Sequence, residues 1–243
     1  MVKNITRNDL INEIKQAIDT GPHPCPSKAD GRAGLVLEQL LGIAGGNHAL
    51  ADAVGFELKT SITPSTPVTL FHKEPLPKGS TTMMVNTFGW PATYAKDGVV
   101  YPVKSFRATI YGSWKSQHQP VQLDVVATNQ KESIMSSGAE VSHWDSNNLV
   151  AAASQKLKNM MLVFAKDNGD GTVSFTSANL LENFQPFAFL QAIQEGIIAI
   201  EWDARTNPNK TSVRNHGTKF RIRERDLPVI YTHSTPILPS QII

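Results

Sequence analysis

The sequence predicts a mixed α+β domain, and three observations carry that expectation. Apolar residues recur at helical spacing in several segments, and short runs of β-branched and aromatic residues read as strands. The two kinds of segment follow one another without regular βα alternation, which argues against a purely parallel, doubly wound sheet. With 243 residues the chain can bury a sizeable core in one large domain or two lobes.

The elements follow in order. Leu10, Ile11, Ile14 and Ile18 give a helical stripe over Asp9–Asp19, which Gly21-Pro22 ends. His23-Pro-Cys25-Pro reads as a loop. A second helix is predicted over Arg32–Leu41, with Leu35, Leu37, Leu40 and Leu41 apolar and Gly42 as its stop. Val54–Leu58 and Val68–Phe71 read as strands separated by a Pro-containing turn, and Ser80–Phe88 as a short helix. Strands are predicted at Phe106–Tyr111 and Val121–Ala127, and a helix over Ser146–Lys158. That helix leads into Met160–Ala165, an apolar run of buried-strand type. Val173–Phe175, Ile197–Trp202 and Lys219–Ile222 complete the strands, with a helix over Phe187–Glu195 closed by Gly196. Residues 207–215 read as a polar, basic loop, and the Pro-punctuated tail from Leu227 as irregular.

Composition narrows the function classes. The chain is 40% hydrophobic and 18% charged, without repeats or low-complexity tracts, and its net charge of +2 is only mildly basic. Such a balance permits a nucleic-acid partner without demanding one, since a binding face needs a local basic surface. The single cysteine, Cys25, rules out an internal disulfide framework and a multi-Cys zinc site. No apolar run approaches the roughly 20 residues of a membrane span. Arg7, Asp9, Glu13 and Lys15 near the N-terminus do not read as a signal peptide, so a soluble, cytoplasmic protein is expected.

The segment with the most chemistry is Asp52-Ala-Val-Gly-Phe-Glu57-Leu-Lys59. Strand alternation points Glu57 and Lys59 the same way, with Phe56 and Leu58 opposite. Asp52, just before the strand, can bend toward the polar face. Two converging carboxylates suit a hard cation such as Mg²⁺, and a Lys beside them can hold and activate a water. That is minimal equipment for metal-assisted phosphodiester hydrolysis, although an exposed strand face explains the same letters.

Five blocks in order make the chain resemble the MvaI/BcnI restriction endonucleases, relatives of the strand-nicking repair enzyme MutH. They are Gly31-Arg-Ala-Gly34-Leu-Val-Leu-Glu38-Gln-Leu-Leu41, the Asp52…Glu57-Leu-Lys59 segment, and Leu70-Phe-His-Lys-Glu-Pro75. The fourth joins Lys156-Leu-Lys and Leu-Val-Phe-Ala165 to Phe175-Thr-Ser-Ala-Asn-Leu180, and the fifth is His216-Gly-Thr-Lys-Phe-Arg221-Ile222. The resemblance implies the PD-(D/E)xK nuclease fold, MutH-like, as a single domain over 1–243 with two lobes around a DNA cleft. Residues 1–110 would be mainly catalytic and 111–243 mainly for recognition. It implies double-stranded DNA as substrate, Mg²⁺ as cofactor with Mn²⁺ substituting, a monomer, and functional pairing with a DNA methyltransferase. The expected function is type II restriction at a short G·C-rich site of the CC-N-GG type. A MutH-like nicking enzyme and a catalytically lapsed DNA-binding protein stay open as alternatives.

By the same resemblance, Asp52, Glu57 and the Leu58 carbonyl are the expected metal ligands, Lys59 orients the attacking water, and Glu38 is a helix carboxylate near the site. His72 would read the central base pair, beside Lys73. Arg214, His216, Lys219 and Arg221 form a basic cluster suited to guanine O6 and N7, with Arg205 as a further donor and Asp203 able to accept from cytosine N4. Phosphate contact is an equal alternative for each. The central pair stays open, because His72 favours G·C there whereas His216-Gly-Thr and Asp203-Ala-Arg205 favour A·T. Asp167-Asn-Gly-Asp-Gly-Thr172 looks like the start of a calcium loop but lacks its terminal Glu, and reads as a hairpin turn. Cys25 beside His23 reads as a bystander.

Overall fold

The computed structural model describes residues 6–29, 31–43, 55–62, 67–112, 123–128, 130–208 and 212–240. In chain order the elements begin with α1 (Arg7–Asp19), β1 (His23–Pro24), α2 (Arg32–Leu40), β2 (Glu57–Ser61) and β3 (Val68–His72). Then come α3 (Ser80–Phe88), β4 (Trp90–Lys96), β5 (Val99–Phe106), β6 (Thr109–Ile110), β7 (Asp124–Ala127), β8 (Lys131–Ser136) and β9 (Ala139–Asp145). Next are α4 (Ser146–Leu157), β10 (Asn159–Asp167), β11 (Thr172–Phe184), α5 (Pro186–Gln194), β12 (Ile198–Glu201) and β13 (Ala204–Thr206). The last are β14 (Val213–Asn215), β15 (Lys219–Ile222), a 3₁₀ helix over Glu224–Ile230, and β16 (Tyr231–Ile237).

Two compact units result, and they are not sequential. The first joins Met1–Val68, Ala153–Gln185 and Leu227–Ile243, and the second joins Thr69–Ala152 and Pro186–Asp226. These units do not coincide with the sequential lobes, 1–110 and 111–243, that the resemblance implies. The physical reason is strand pairing over long separations. β2 pairs in parallel with β10, and β16 pairs antiparallel with β11, so both chain ends and the middle share one sheet.

In the first unit that sheet runs β1-β11-β10-β2, with β16 also on β11. Thr6 caps α1 in a capping box with Asp9, which satisfies two backbone donors of the first turn. Leu10, Ile14 and Ile18 of α1 join Val36 and Leu37 of α2 over Leu58, Met161, Val163 and Leu180 of the sheet. Burying these side chains leaves the opposite sheet face for Glu57 and Lys59, as strand alternation requires. β2 starts later than the predicted 54–58 because Gly55 sits at φ 82, a left-handed conformation no strand continues through.

Among its described residues the second unit holds three small sheets, β3-β15-β12-β6, β14-β13-β5-β4 and β7-β8-β9. Its aromatic core includes Phe71 stacked on Phe220 at 5.0 Å between centroids, with Trp144 edge-on to Phe220 at 5.4 Å. Several hairpins went unpredicted: β13–β14 places a strand at Val213–Asn215 within the segment read as a loop, and β4–β5 and β8–β9 close on tight turns. The turns of the latter two, Asp97-Gly98 and Ser137-Gly138, have positive φ at both central residues, the geometry that favours a two-residue hairpin loop. The segment 167–172 forms the predicted hairpin turn between β10 and β11, with the Asn168 N–H donating to the Thr172 carbonyl at 3.1 Å. The tail from Leu227 is regular rather than irregular. β16 lies at the sheet edge, and there Pro236 is tolerated because no further strand needs its missing N–H.

Candidate functional site

The first cluster grows from β2. Glu57 is 0% exposed and its Oε1 lies 2.5 Å from the Lys59 ammonium, two residues along the same face. A second ammonium, from Lys156 in the last turn of α4, stands 3.4 Å from the same oxygen. A carboxylate taken out of water costs several kcal/mol unless cations and donors balance it, and here two cations do. Among the described residues, two ammonium groups thus meet at one carboxylate oxygen. The Tyr231 hydroxyl, on β16, is buried and has no hydrogen-bond partner among the described residues. Burial first, and then the negative charge of Glu57, push its ionisation well above the usual tyrosine range, so it stays protonated.

Helix α2 packs on β2 at Gly34, where an added β-carbon would touch the Thr60 hydroxyl at 3.4 Å. Glu38 follows one turn later and is half-buried on the same helix face as Gly34. Leu58 turns its side chain into the core on the other side of the sheet. The proposed ligand Asp52 lies outside the described residues. Glu57 is an oxygen donor of the kind a hard divalent cation takes, although among the described residues no group of three or more metal-ligating side chains comes together.

The second cluster lies wholly within the other unit, and it is built around the polar face of β12 and β15. Glu201 pairs opposite Lys219 in the antiparallel register. Its carboxylate receives Arg221 Nη1 at 2.6 Å and Lys219 Nζ at 3.2 Å. Lys219 also stands 3.5 Å from Asp203, which in turn holds Arg107 Nε at 3.0 Å. Phe220 and Ile222 face the core, as alternation predicted. Arg205 is only 6% exposed, its Cζ lies 3.6 Å from the Tyr94 ring centroid, and Nη1 donates to the Thr206 carbonyl. Stacking on an aromatic face fixes the plane of the guanidinium. Arg214 is exposed on β14, directly across from Arg205.

His72 is exposed at the end of β3, beside the 216–218 turn. The backbone N–H of Lys73 donates to the Thr218 carbonyl, and the Lys73 carbonyl accepts from Trp144 Nε1. His216 is exposed and its N–H donates to the Asp203 carbonyl. Glu74 ties this turn down by accepting from the Thr218 N–H at 2.9 Å and the Thr81 hydroxyl at 2.7 Å. The structure therefore brings Glu57 with Lys59, and Asp203 with Lys219 and Arg221. Sequence reasoning missed Lys156, Tyr94, Arg107 and Glu201 as site residues. Only Lys156 left a signal, as part of the fourth block; a lone Lys on a helix otherwise reads as solvated.

A family model described as the MvaI/BcnI restriction endonuclease family matches residues 11–231. The chain belongs to that family. Among solved structures it is similar to the "restriction endonuclease MvaI-cognate DNA substrate complex", at 22% identity and a TM-score of 0.75. That match covers 95% of this chain and 97% of the other. A second similar structure is "restriction endonuclease MvaI in the absence of DNA", at 21% identity, a TM-score of 0.56, and coverage of 98% and 100%. No curated protein matches the chain. The fold of this family member is thus the mixed α+β fold of the PD-(D/E)xK restriction endonucleases. Among its described residues no helix is long and apolar enough to cross a membrane.

Proposed function

We propose that this family member is a type II restriction endonuclease that hydrolyses double-stranded DNA with Mg²⁺ at a short G·C-rich site of the CC-N-GG type. The observation that carries the reading is the fully buried Glu57 carboxylate of β2, one oxygen of which meets the ammonium groups of Lys59 and, from α4, Lys156. Asp52, Glu57 and the Leu58 carbonyl would hold the cation, which when bound polarises the scissile phosphate and makes a coordinated water more acidic. Lys59, a compact point charge, orients the attacking water and offsets charge developing on the phosphate. Lys156 adds a second positive charge for the phosphate, and Glu38 supports the site from α2.

In the other unit Arg221, Lys219 and Arg205 act as guanine donors, Asp203 accepts from cytosine, and His72 and His216 flank the central pair. Lys73 and Arg214 serve the backbone of the duplex. The protein acts as a monomer beside a DNA methyltransferase that protects the host site. Incubation with plasmid DNA and Mg²⁺, followed by sequencing of the ends, tests this. Asp52→Ala and Glu57→Ala should abolish cleavage and leave specific DNA binding largely intact; cleavage surviving in either variant contradicts the active-site assignment. Products nicked in one strand only would favour the MutH-like alternative.

A further inference from the structure

Five charged groups, three on β12 and β15 and two on the segments that follow β12 and precede β6, alternate in charge. In order of contact they run Arg221, Glu201, Lys219, Asp203, Arg107, with separations of 2.6, 3.2, 3.5 and 3.0 Å. Three cations against two carboxylates leave the row a net charge of +1. A surface built to grip phosphates gains most from cations without anions among them, since each carboxylate repels the same phosphate its neighbour attracts. The bases have the opposite requirement. Along the major-groove edge of a G·C pair, guanine offers two acceptors and cytosine one donor, so a reader needs cationic donors and an acceptor side by side.

Spacing agrees with this use. Lys219 and Arg221 are two residues apart on one strand, about 7 Å. That is about two base-pair rises at 3.4 Å each. Glu201, opposite Lys219 in the register, fixes both cations from one carboxylate, so their donors are aimed before DNA arrives.

We infer that this alternating row is the base-reading unit of the enzyme, that Glu201 is a specificity-determining residue which accepts from cytosine N4 and positions Arg221 and Lys219, and that Arg107 is a further guanine donor at the row's end. The inference rests on the G·C-rich site proposed above. It assigns roles to two residues, Glu201 and Arg107, and favours base contact over phosphate contact for Lys219 and Arg221.

The test compares wild type, Glu201→Gln and Arg107→Ala on a panel of duplexes, each differing from the wild-type consensus at one pair. Relative kcat/KM gives discrimination, and the salt dependence of binding in EDTA counts phosphate contacts. Glu201→Gln keeps the side chain's shape, and Arg107 is 64% exposed, so both variants should fold. Each should lose about ten- to a hundredfold discrimination at its own pair, with the salt slope unchanged. For Glu201→Gln the loss should be largest against A·T, because an amide can pair with adenine. Uniformly tighter binding by Glu201→Gln with a steeper salt slope would place its carboxylate over phosphates and overturn the inference. Uniform weakening by Arg107→Ala with a slope shallower by about one would make Arg107 a phosphate contact and overturn its role. A wild-type consensus without G·C pairs would sink the proposed site itself; a G·C consensus with unmoved variants would sink this inference alone.

Discussion

Gly217 passes so close to His72 that a β-carbon built on it would stand 2.7 Å from the ring's Cδ2. Its φ of +87 adds a second constraint, because an L side chain is strained there. The turn between β14 and β15 is thereby shaped around the imidazole proposed to read the central base pair. Gly217→Ala should cost about 1–2 kcal/mol from the left-handed backbone alone and force the ring to rotate. Denaturation measures the first effect, and cleavage of sites differing only in the central pair measures the second. A variant as stable as wild type with unchanged central preference would show that this contact positions nothing.

Lys156 should set the metal requirement as well as the stability of the centre. Truncating one partner of a buried ion pair costs about 3–5 kcal/mol. Lys156 has a side chain 23% exposed, and Lys59 stays beside Glu57, so Lys156→Met should cost only about 1–2 kcal/mol in EDTA. On the proposed Mg²⁺ reading, the lost ammonium no longer competes with the cation, so half-saturating Mg²⁺ should fall severalfold while the maximal rate drops. Thermal melts in EDTA and a Mg²⁺ titration of cleavage check both. An unmoved midpoint would mean that Lys156 and the metal site are not coupled.

Tyr94 should matter through Arg205. The stack at 3.6 Å is worth about 1–2 kcal/mol in a desolvated setting. Tyr94→Leu removes the aromatic face and leaves the Thr206 carbonyl as the guanidinium's remaining restraint among the described contacts. We expect lower stability together with weaker discrimination at one outer pair, without a change in the salt slope. Arg205→Lys should reproduce the specificity loss, since an ammonium has no plane to hold. Full discrimination in Tyr94→Leu would limit the stack to a structural role.

Glu132 gives the protein a pH signature. It is 1% exposed on β8, opposite Trp144, and burial pushes its carboxyl up to about 8. The folded state then keeps a proton that the unfolded chain has lost, so stability declines as pH rises from about 4.5 to about 8 and levels beyond. The whole effect is on the order of a few kcal/mol. Glu132→Gln should be close to wild type near pH 5, more stable above pH 8, and flatter between. Urea denaturation across that range tests it; parallel curves for the two proteins would exclude Glu132 as the source.

The sequence by itself determined the local parts of this protein. The period of two along 57–59 puts Glu57 and Lys59 on one face wherever the strand lies, and the apolar spacing of the first two helices places α1 and α2 within a residue or two. The ordered blocks sufficed for family membership, because they span nearly the whole matched region. Tertiary structure alone decided what meets these parts. Lys156 reaches Glu57 only because β2 pairs in parallel with β10, directly after α4, nearly a hundred residues along the chain. Arg107 reaches Asp203, and Glu201 gathers Lys219 and Arg221, only through the packing of β12 against β6 and β15. The physical reason is range: alternation and helical period are fixed by the covalent backbone, whereas the partners of a buried charge are fixed by long-range pairing, which leaves no periodic trace in the sequence.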